Sequence, residues 1–259
     1  MSRITQRGAT GPLAIQAGGT FQTSTDTSLE TLLGSRWDLS DGREVALGQP
    51  ASGTTVASGK LYQNAAIVST HQNMAVTAVV AYSANGNIPA KITCTLGNTN
   101  AVTANQYQGG FLAIVDGTGE GQMLKIASHP AAAADAALAV TLEDGWVTLP
   151  VASNSEVSLF PAVGNNLVIQ PTTVTNTVFG LAMYPIAAES YGFFLTKGLG
   201  NALSDSTAPA VGCSISWSAA TAGAVGATPY STNVLSGAVI GYAAILGVSA
   251  EYRPVFMNI

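Results

Sequence analysis

The run Asp116-Gly-Thr-Gly-Glu-Gly-Gln comes nearest to a chemical device in this chain. Glycines at that density can turn backbone N–H groups toward a phosphate. A phosphate cradle also needs a Lys and a Ser or Thr at its end, and a helix N-terminus facing the anion. Here no such Lys follows, strand-like residues lie on both sides, and Asp116 and Glu120 would repel a phosphate. The run therefore predicts a glycine turn with positive φ. It joins Phe111-Leu-Ala-Ile-Val to Gln122-Met-Leu-Lys-Ile-Ala as a hairpin.

The two histidines, His71 and His129, could serve as general bases or metal ligands. Neither has a carboxylate or cysteine at the spacing of a triad or a metal face. His71 lies in the polar stretch Thr-His-Gln-Asn and His129 precedes Pro130, so both are expected on exposed loops. Glu143-Asp144 is the one adjacent acidic pair. A Ca²⁺ site needs about six oxygens, and a turn ending a strand explains the pair more simply. Cys94 and Cys213 sit in strand-like runs far apart and predict two buried thiols rather than a bridge or a metal site. No Gly-x-Ser-x-Gly elbow is present. Trp37, Trp146 and Trp217 are scattered and read as packing residues. No catalytic, cofactor or metal site is expected, and the chain is not read as an enzyme.

Composition sets the next bound. Of 259 residues only 9 % are charged, with 9 basic and 14 acidic side chains and a net charge of −5, while 47 % are hydrophobic. An average soluble domain carries about 25 % charge. A coiled coil needs charged flanks and is excluded. Nucleic-acid binding by counterion release needs clustered cations and is excluded as well. The mean hydropathy is +0.32. Even so, the run from Gly237 to Val248 is broken by Gly241, Tyr242 and Gly247, short of the roughly 18 apolar residues of a spanning helix. Met1-Ser-Arg-Ile-Thr-Gln-Arg-Gly has no apolar core behind its arginines and is not expected to be a signal peptide. A chain so poor in surface charge is expected to cover much of its surface with copies of itself or with neighbours.

The elements that must position these residues are short strands. Lys91-Ile-Thr-Cys-Thr-Leu alternates, placing Ile92, Cys94 and Leu96 on one face. Similar runs start at Arg43, Lys60, Met74, Leu138, Glu156, Asn166, Tyr191, Gly212, Ala238 and Tyr252, with Gly and Pro between them. That spacing indicates an all-β protein. Thr27-Ser-Leu-Glu30 fits a capping box for one or two helical turns ending at Gly34. Pro130-Ala-Ala-Ala-Ala-Asp fits either a short helix or an alanine-rich hairpin tip. Residues 1–25 are polar, Gly-rich and aperiodic. They predict either a disordered tail or an extended arm laid on a neighbouring subunit, with Ile4, Leu13, Ile15 and Phe21 available for burial.

The C-terminal third carries a resemblance. Tyr191-Gly-Phe-Phe-Leu-Thr-Lys-Gly, Ser218-Ala-Ala-Thr-Ala-Gly-Ala-Val, Ile240-Gly-Tyr-Ala and Glu251-Tyr-Arg-Pro-Val-Phe-Met-Asn-Ile follow in that order. This order resembles structural proteins of tailed-bacteriophage virions, of the capsid decoration or cement type. Asp41-Gly-Arg and Gly59-Lys-Leu-Tyr-Gln match the same group. Gln106-Tyr through His129-Pro resembles a small β-module also met in phage tail and fibre proteins. The resemblance covers most of residues 37–259.

Residues 1–36 lie outside it. Together with two polar seams it points to two β-sandwich or barrel-like domains, a basal domain from 26–70 plus 165–259 and an inserted domain at 71–164, beside the N-terminal arm read at 1–25. The seams fall at Ser69-Thr-His-Gln-Asn and Gly164-Asn-Asn. It also implies a homo-oligomer, a trimer on the family pattern, on the outer capsid surface of a virion, with the major capsid protein as partner and no nucleic acid or membrane. Arg3, Ile4, Arg7, Leu13, Ile15, Phe21, Tyr252 and Arg253 are the expected interaction residues. A tail or fibre protein and a glycan-binding host-recognition module are the alternatives.

Overall fold

The computed structural model describes residues 4–6, 23–82, 89–205, 209–228, 230–231, 234–235, 238–245 and 250–259. The chain forms two compact units, Met1–Ala65 with Val163–Ile259, and Ala66–Ala162. Both are built from strands. The first unit opens with β1 (Ile4–Gln6), β2 (Arg36–Leu39), β3 (Glu44–Gly48) and β4 (Leu61–Gln63). The second holds β5 (Met74–Val80), β6 (Lys91–Thr95), β7 (Phe111–Asp116), β8 (Met123–Ser128), β9 (Ala137–Leu142) and β10 (Glu156–Phe160). The chain then returns to the first unit with β11 (Val168–Ile169), β12 (Val178–Ala182), β13 (Gly192–Leu203), β14 (Ser214–Trp217), β15 (Val225–Ala227), β16 (Tyr230–Ser231), β17 (Val234–Leu235), β18 (Gly241–Ala243) and β19 (Tyr252–Asn258).

The second unit is a closed antiparallel barrel in the order β10-β5-β6-β9-β8-β7. Closure leaves no free edge for another chain to pair with. Strand alternation fills the interior. Ile92, Cys94 and Leu96 are at most 1 % exposed, and Leu112, Ile114, Leu138, Val140, Val157 and Leu159 join them in one core. The hairpin at the glycine turn forms as its pattern predicts, with Phe111 opposite Lys125, Leu112 opposite Leu124 and Ala113 opposite Met123.

The first unit is an extended sheet in the order β1-β2-β3-β13-β19-β18-β14-β15, with β12 on β13 and β4, and β11 on β4. β13 organises it. Its first half pairs with β3 and β12, and Lys197–Leu203 pairs with β19. Both faces of that first half are covered, so adjacent residues enter different cores. Phe193 packs edge-on against Trp37 at 5.3 Å, in the larger cluster. Phe194 packs against Phe179 at 5.4 Å and Tyr62 at 5.6 Å, in a second cluster.

Two local segments take definite form. Thr27–Leu32 is a 3-10 helix, with Leu29 buried and Leu32 and Leu33 packed on the first unit's core. Of the two readings of the alanine run, the hairpin connection forms and the helix does not. Ala132 bridges to Val102, Asp135 takes a φ of 59°, and β9 starts at Ala137, so the segment is the connection between two barrel strands.

The unit boundaries fall at 65/66 and 162/163 rather than 70/71 and 164/165. Thr70 belongs to the barrel unit, where its carbonyl accepts from the Gly97 N–H at 3.0 Å and its hydroxyl from Asn100 at 2.9 Å. Gly164 belongs to the first unit, where its carbonyl accepts from Gln49 at 2.8 Å and its N–H donates to Asn64 at 2.9 Å.

Candidate interaction surfaces

The residues with chemical potential are engaged in holding the fold. In the glycine turn, Gly117 donates to Asp116 Oδ1 at 2.8 Å, and Thr118 gives both its N–H and its hydroxyl to Asn154 Oδ1. These donors point to protein acceptors rather than to an anion. Glu143 pairs with Lys125 at 3.2 Å. Among the described residues no group of three or more His, Cys, Asp or Glu could hold a metal ion. Cys94 is buried as expected, and burial pushes its thiol up to about 12. Cys213, in contrast, is exposed, because it lies ahead of the first residue of β14.

Both histidines are buried, against the expectation of exposed loops. His71 is fully covered and His129 is 4 % exposed. His71 Nδ1 lies 2.6 Å from the Tyr107 hydroxyl and its Nε2 3.2 Å from the Asn100 carbonyl. A carbonyl can only accept, so Nε2 carries the proton and Nδ1 accepts from Tyr107. His129 Nε2 accepts the Tyr107 backbone N–H at 2.9 Å, which leaves Nδ1 to donate to the Pro130 carbonyl at 2.9 Å. Burial pushes the Tyr107 phenol up to about 12, and burial also lowers the His129 imidazole below its usual range. Both effects keep these groups neutral. The cluster pins the loops at one end of the barrel and offers no open coordination position.

The exposed apolar side chains stand out more. In the barrel unit, the segment after β9 holds Val147 at 92 % exposure, with Leu149 and Val151 about half exposed. One amide fixes this segment. Gln122 Oε1 accepts from the N–H groups of Val147 and Thr148, and its Nε2 donates to the carbonyls of Thr148 and Gly119. The Trp146 indole donates to the Val80 carbonyl at 3.3 Å. An apolar tip is therefore held out on a rigid mount.

In the first unit, the strand carrying Glu251-Tyr-Arg-Pro-Val-Phe-Met-Asn-Ile divides its residues by alternation. Arg253, Val255 and Met257 point inward, and Tyr252 and Phe256 point outward. Phe256 stands directly opposite Leu199 on β13 and Tyr242 on β18. These three side chains are about half exposed, as is Tyr252. Tyr252 rests on Gly59, where an added Cβ would lie 2.4 Å from its ring. Nearby, Arg43 is taken up by Asp41 at 2.7 Å, and the Arg43 guanidinium holds the Asp41 carboxyl below its usual range. Also in this unit, a groove of about 560 Å³ is lined by Val174, Val178, Trp217, Val239, Ile240 and Ile259 among others.

The expected interaction residues fare differently. Tyr252 is on the exposed face. Arg253 is not at a surface: it is 1 % exposed and donates from Nη1 to the Pro209 carbonyl at 3.1 Å. Ile4 lies in β1, opposite Leu39 of the same chain. Arg3, Arg7, Leu13, Ile15 and Phe21 lie outside the described residues, as does most of the expected arm. Leu199, Tyr242 and Phe256 were missed as surface residues. The signal available was the period-two alternation of the C-terminal strand, which puts Tyr252 and Phe256 on one face. Comparison with protein-family models, with curated proteins and with solved structures finds no match.

Proposed function

We propose that the chain is a structural protein of a tailed-bacteriophage virion, a decoration or cement protein that stabilises the outer capsid lattice as a homo-oligomer. The observation that carries this reading is the pairing of a 9 % charged composition with rigidly mounted apolar surface on both units. Exposed apolar patches on a stable scaffold mark sites of association. On a symmetric lattice each weak contact is repeated, and linked contacts gain effective concentration, so modest patches hold firmly. The motif order of the C-terminal third, which resembles that family, adds support. Three copies per assembly is the number the family pattern implies. The stretch from Gln106-Tyr through His129-Pro, within the barrel unit, resembles a small β-module met in phage tail and fibre proteins, which makes a tail location the second reading.

Copy number separates the two. In purified particles of the source phage, quantitative mass spectrometry is expected to give hundreds of copies per virion, with cryo-EM density on the shell. Tens of copies confined to the tail would overturn the capsid assignment, and absence from particles would overturn both.

A further inference from the structure

We infer that the outward face of β13, β19 and β18 is the seat of a second copy of this chain, an inference that rests on the reading as a self-assembling structural protein. Leu199, Phe256 and Tyr242 form one row across three hydrogen-bonded strands, and Tyr252 and Pro254 extend it along β19. Adjacent strands lie about 4.8 Å apart, so the row is a continuous apolar strip. Its backbone is fixed by the β13–β19 ladder, which runs unbroken from Lys197–Asn258 to Leu203–Tyr252.

Two properties select the occupant. The first is charge. Leu199, Asn201, Tyr242, Tyr252, Pro254 and Phe256 include no carboxylate and no cation. A face built for an anionic or cationic partner carries the opposite charge. Of the outward residues on these strands only Lys197, at the end of the strip opposite Asn258, is charged, and none is a carboxylate, so a copy of the same chain, itself 9 % charged, offers matching, nearly uncharged chemistry. The second is area. A buried aromatic covers about 150–250 Å², so the three half-exposed rings and Leu199 together leave about 400 Å². A standard interface buries about 800 Å² per partner, a little over half of it apolar. The strip therefore supplies the apolar centre of one such interface, and Asn201 and Asn258 begin its polar rim. Tyr, Phe and Leu held on a sheet also lose little freedom on docking.

The test is the mass of the full-length chain in solution across a dilution series, by light scattering and sedimentation velocity. Wild type is expected to form an oligomer above 26.2 kDa. Phe256→Gln and Leu199→Asn, each at an exposed position, are expected to weaken association by about tenfold or more. Gln108→Ala, at an exposed polar position of the barrel unit outside both apolar surfaces, is expected to leave it unchanged. Far-UV circular dichroism checks that each variant keeps its strands, and Tyr242→Gln repeats the test on a different strand. A wild-type chain that stays monomeric, or an oligomer indifferent to Phe256→Gln, Leu199→Asn and Tyr242→Gln, overturns the inference. The virion reading fails separately, through the particle copy number, whatever the mass in solution.

Discussion

At the level of single residues, His129 yields a sharp expectation. Its Nε2 already accepts the Tyr107 N–H and its Nδ1 already donates to Pro130, so adding a proton sets one N–H against another. The groups facing it are that amide, that carbonyl and, across Tyr107, His71; none is a carboxylate. Its folded-state value lies below the ordinary 6.5, first because of burial. The unfolded chain then takes up the proton more readily than the folded one, so stability is full above about 6.5 and falls as the pH drops from there through the depressed value. Thermal melts between pH 8 and pH 5 are expected to show the barrel's melting temperature falling as the pH drops. His129→Gln keeps an acceptor and a donor without titrating, and should flatten that slope; an unchanged slope would assign the effect elsewhere. The sequence hid this cluster because its neighbours look solvated. Gln72 and Asn73 are polar for other reasons: Gln72 donates its side-chain amide to the Leu159 carbonyl at 2.8 Å, and Asn73 takes a left-handed φ of 51°, which Asn tolerates. The cysteines give a simpler check. A thiol reagent is expected to label Cys213 alone in the native chain and both cysteines after denaturation, because only Cys94 is buried.

At the level of elements, the turn after β7 separates backbone strain from crowding. Gly117 and Gly121 have nearly the same positive φ, 77° and 86°. A Cβ at Gly117 would lie 2.2 Å from the Asn154 carbonyl oxygen, whereas one at Gly121 meets nothing within 4 Å. Gly121→Ala is expected to cost about 1 kcal/mol from the left-handed conformation alone, and Gly117→Ala about 2–4 kcal/mol, because the Asn154 segment must also move. Urea melts of the two variants check the order, and equal losses would show that crowding is relieved without cost. This turn was legible because glycines bracket two alternating runs, and β6 was legible for the same reason of period. β12 was not: Gly180 interrupts Val-Phe-Gly-Leu-Ala, and its role is close approach, with an added Cβ falling 2.8 Å from Phe194 Cβ. The second half of β13 was also missed. Gly198 and Gly200 leave Lys197-Gly-Leu-Gly-Asn without alternating side chains to mark a strand, yet the whole run pairs with β19. The alanine run shows the converse. Local helix preference yields to the barrel, which needs residues 129–136 as a connection.

At the level of the whole molecule, the all-β class was legible from the density of short strands, whereas the path of the strands was not. β13 joins β3, β12 and β19, partners that start about 150 residues before it, 14 before it and 60 after it. Spacing along the chain carries no record of such pairings. The seams were legible only approximately, because the polar residues that mark them also satisfy backbone groups inside the units. The barrel's independence is a physical claim that can be measured. Closure pairs every one of its strands on both sides, and its core is a cluster of its own, drawn from residues 74–159. A fold with no open edge and a complete interior does not need another unit to cover it. Residues 66–162 expressed alone are therefore expected to fold to a monomer with a single cooperative melt and with the His129-linked loss at low pH. Circular dichroism and two-dimensional NMR read this directly. If the excised segment aggregates or gives the narrow amide dispersion of an unfolded chain, the barrel depends on the flanking strands for its stability. In that case, substitutions in its core, such as Ile92→Ala, should lower the melting of the intact chain as a single unit rather than only its barrel transition.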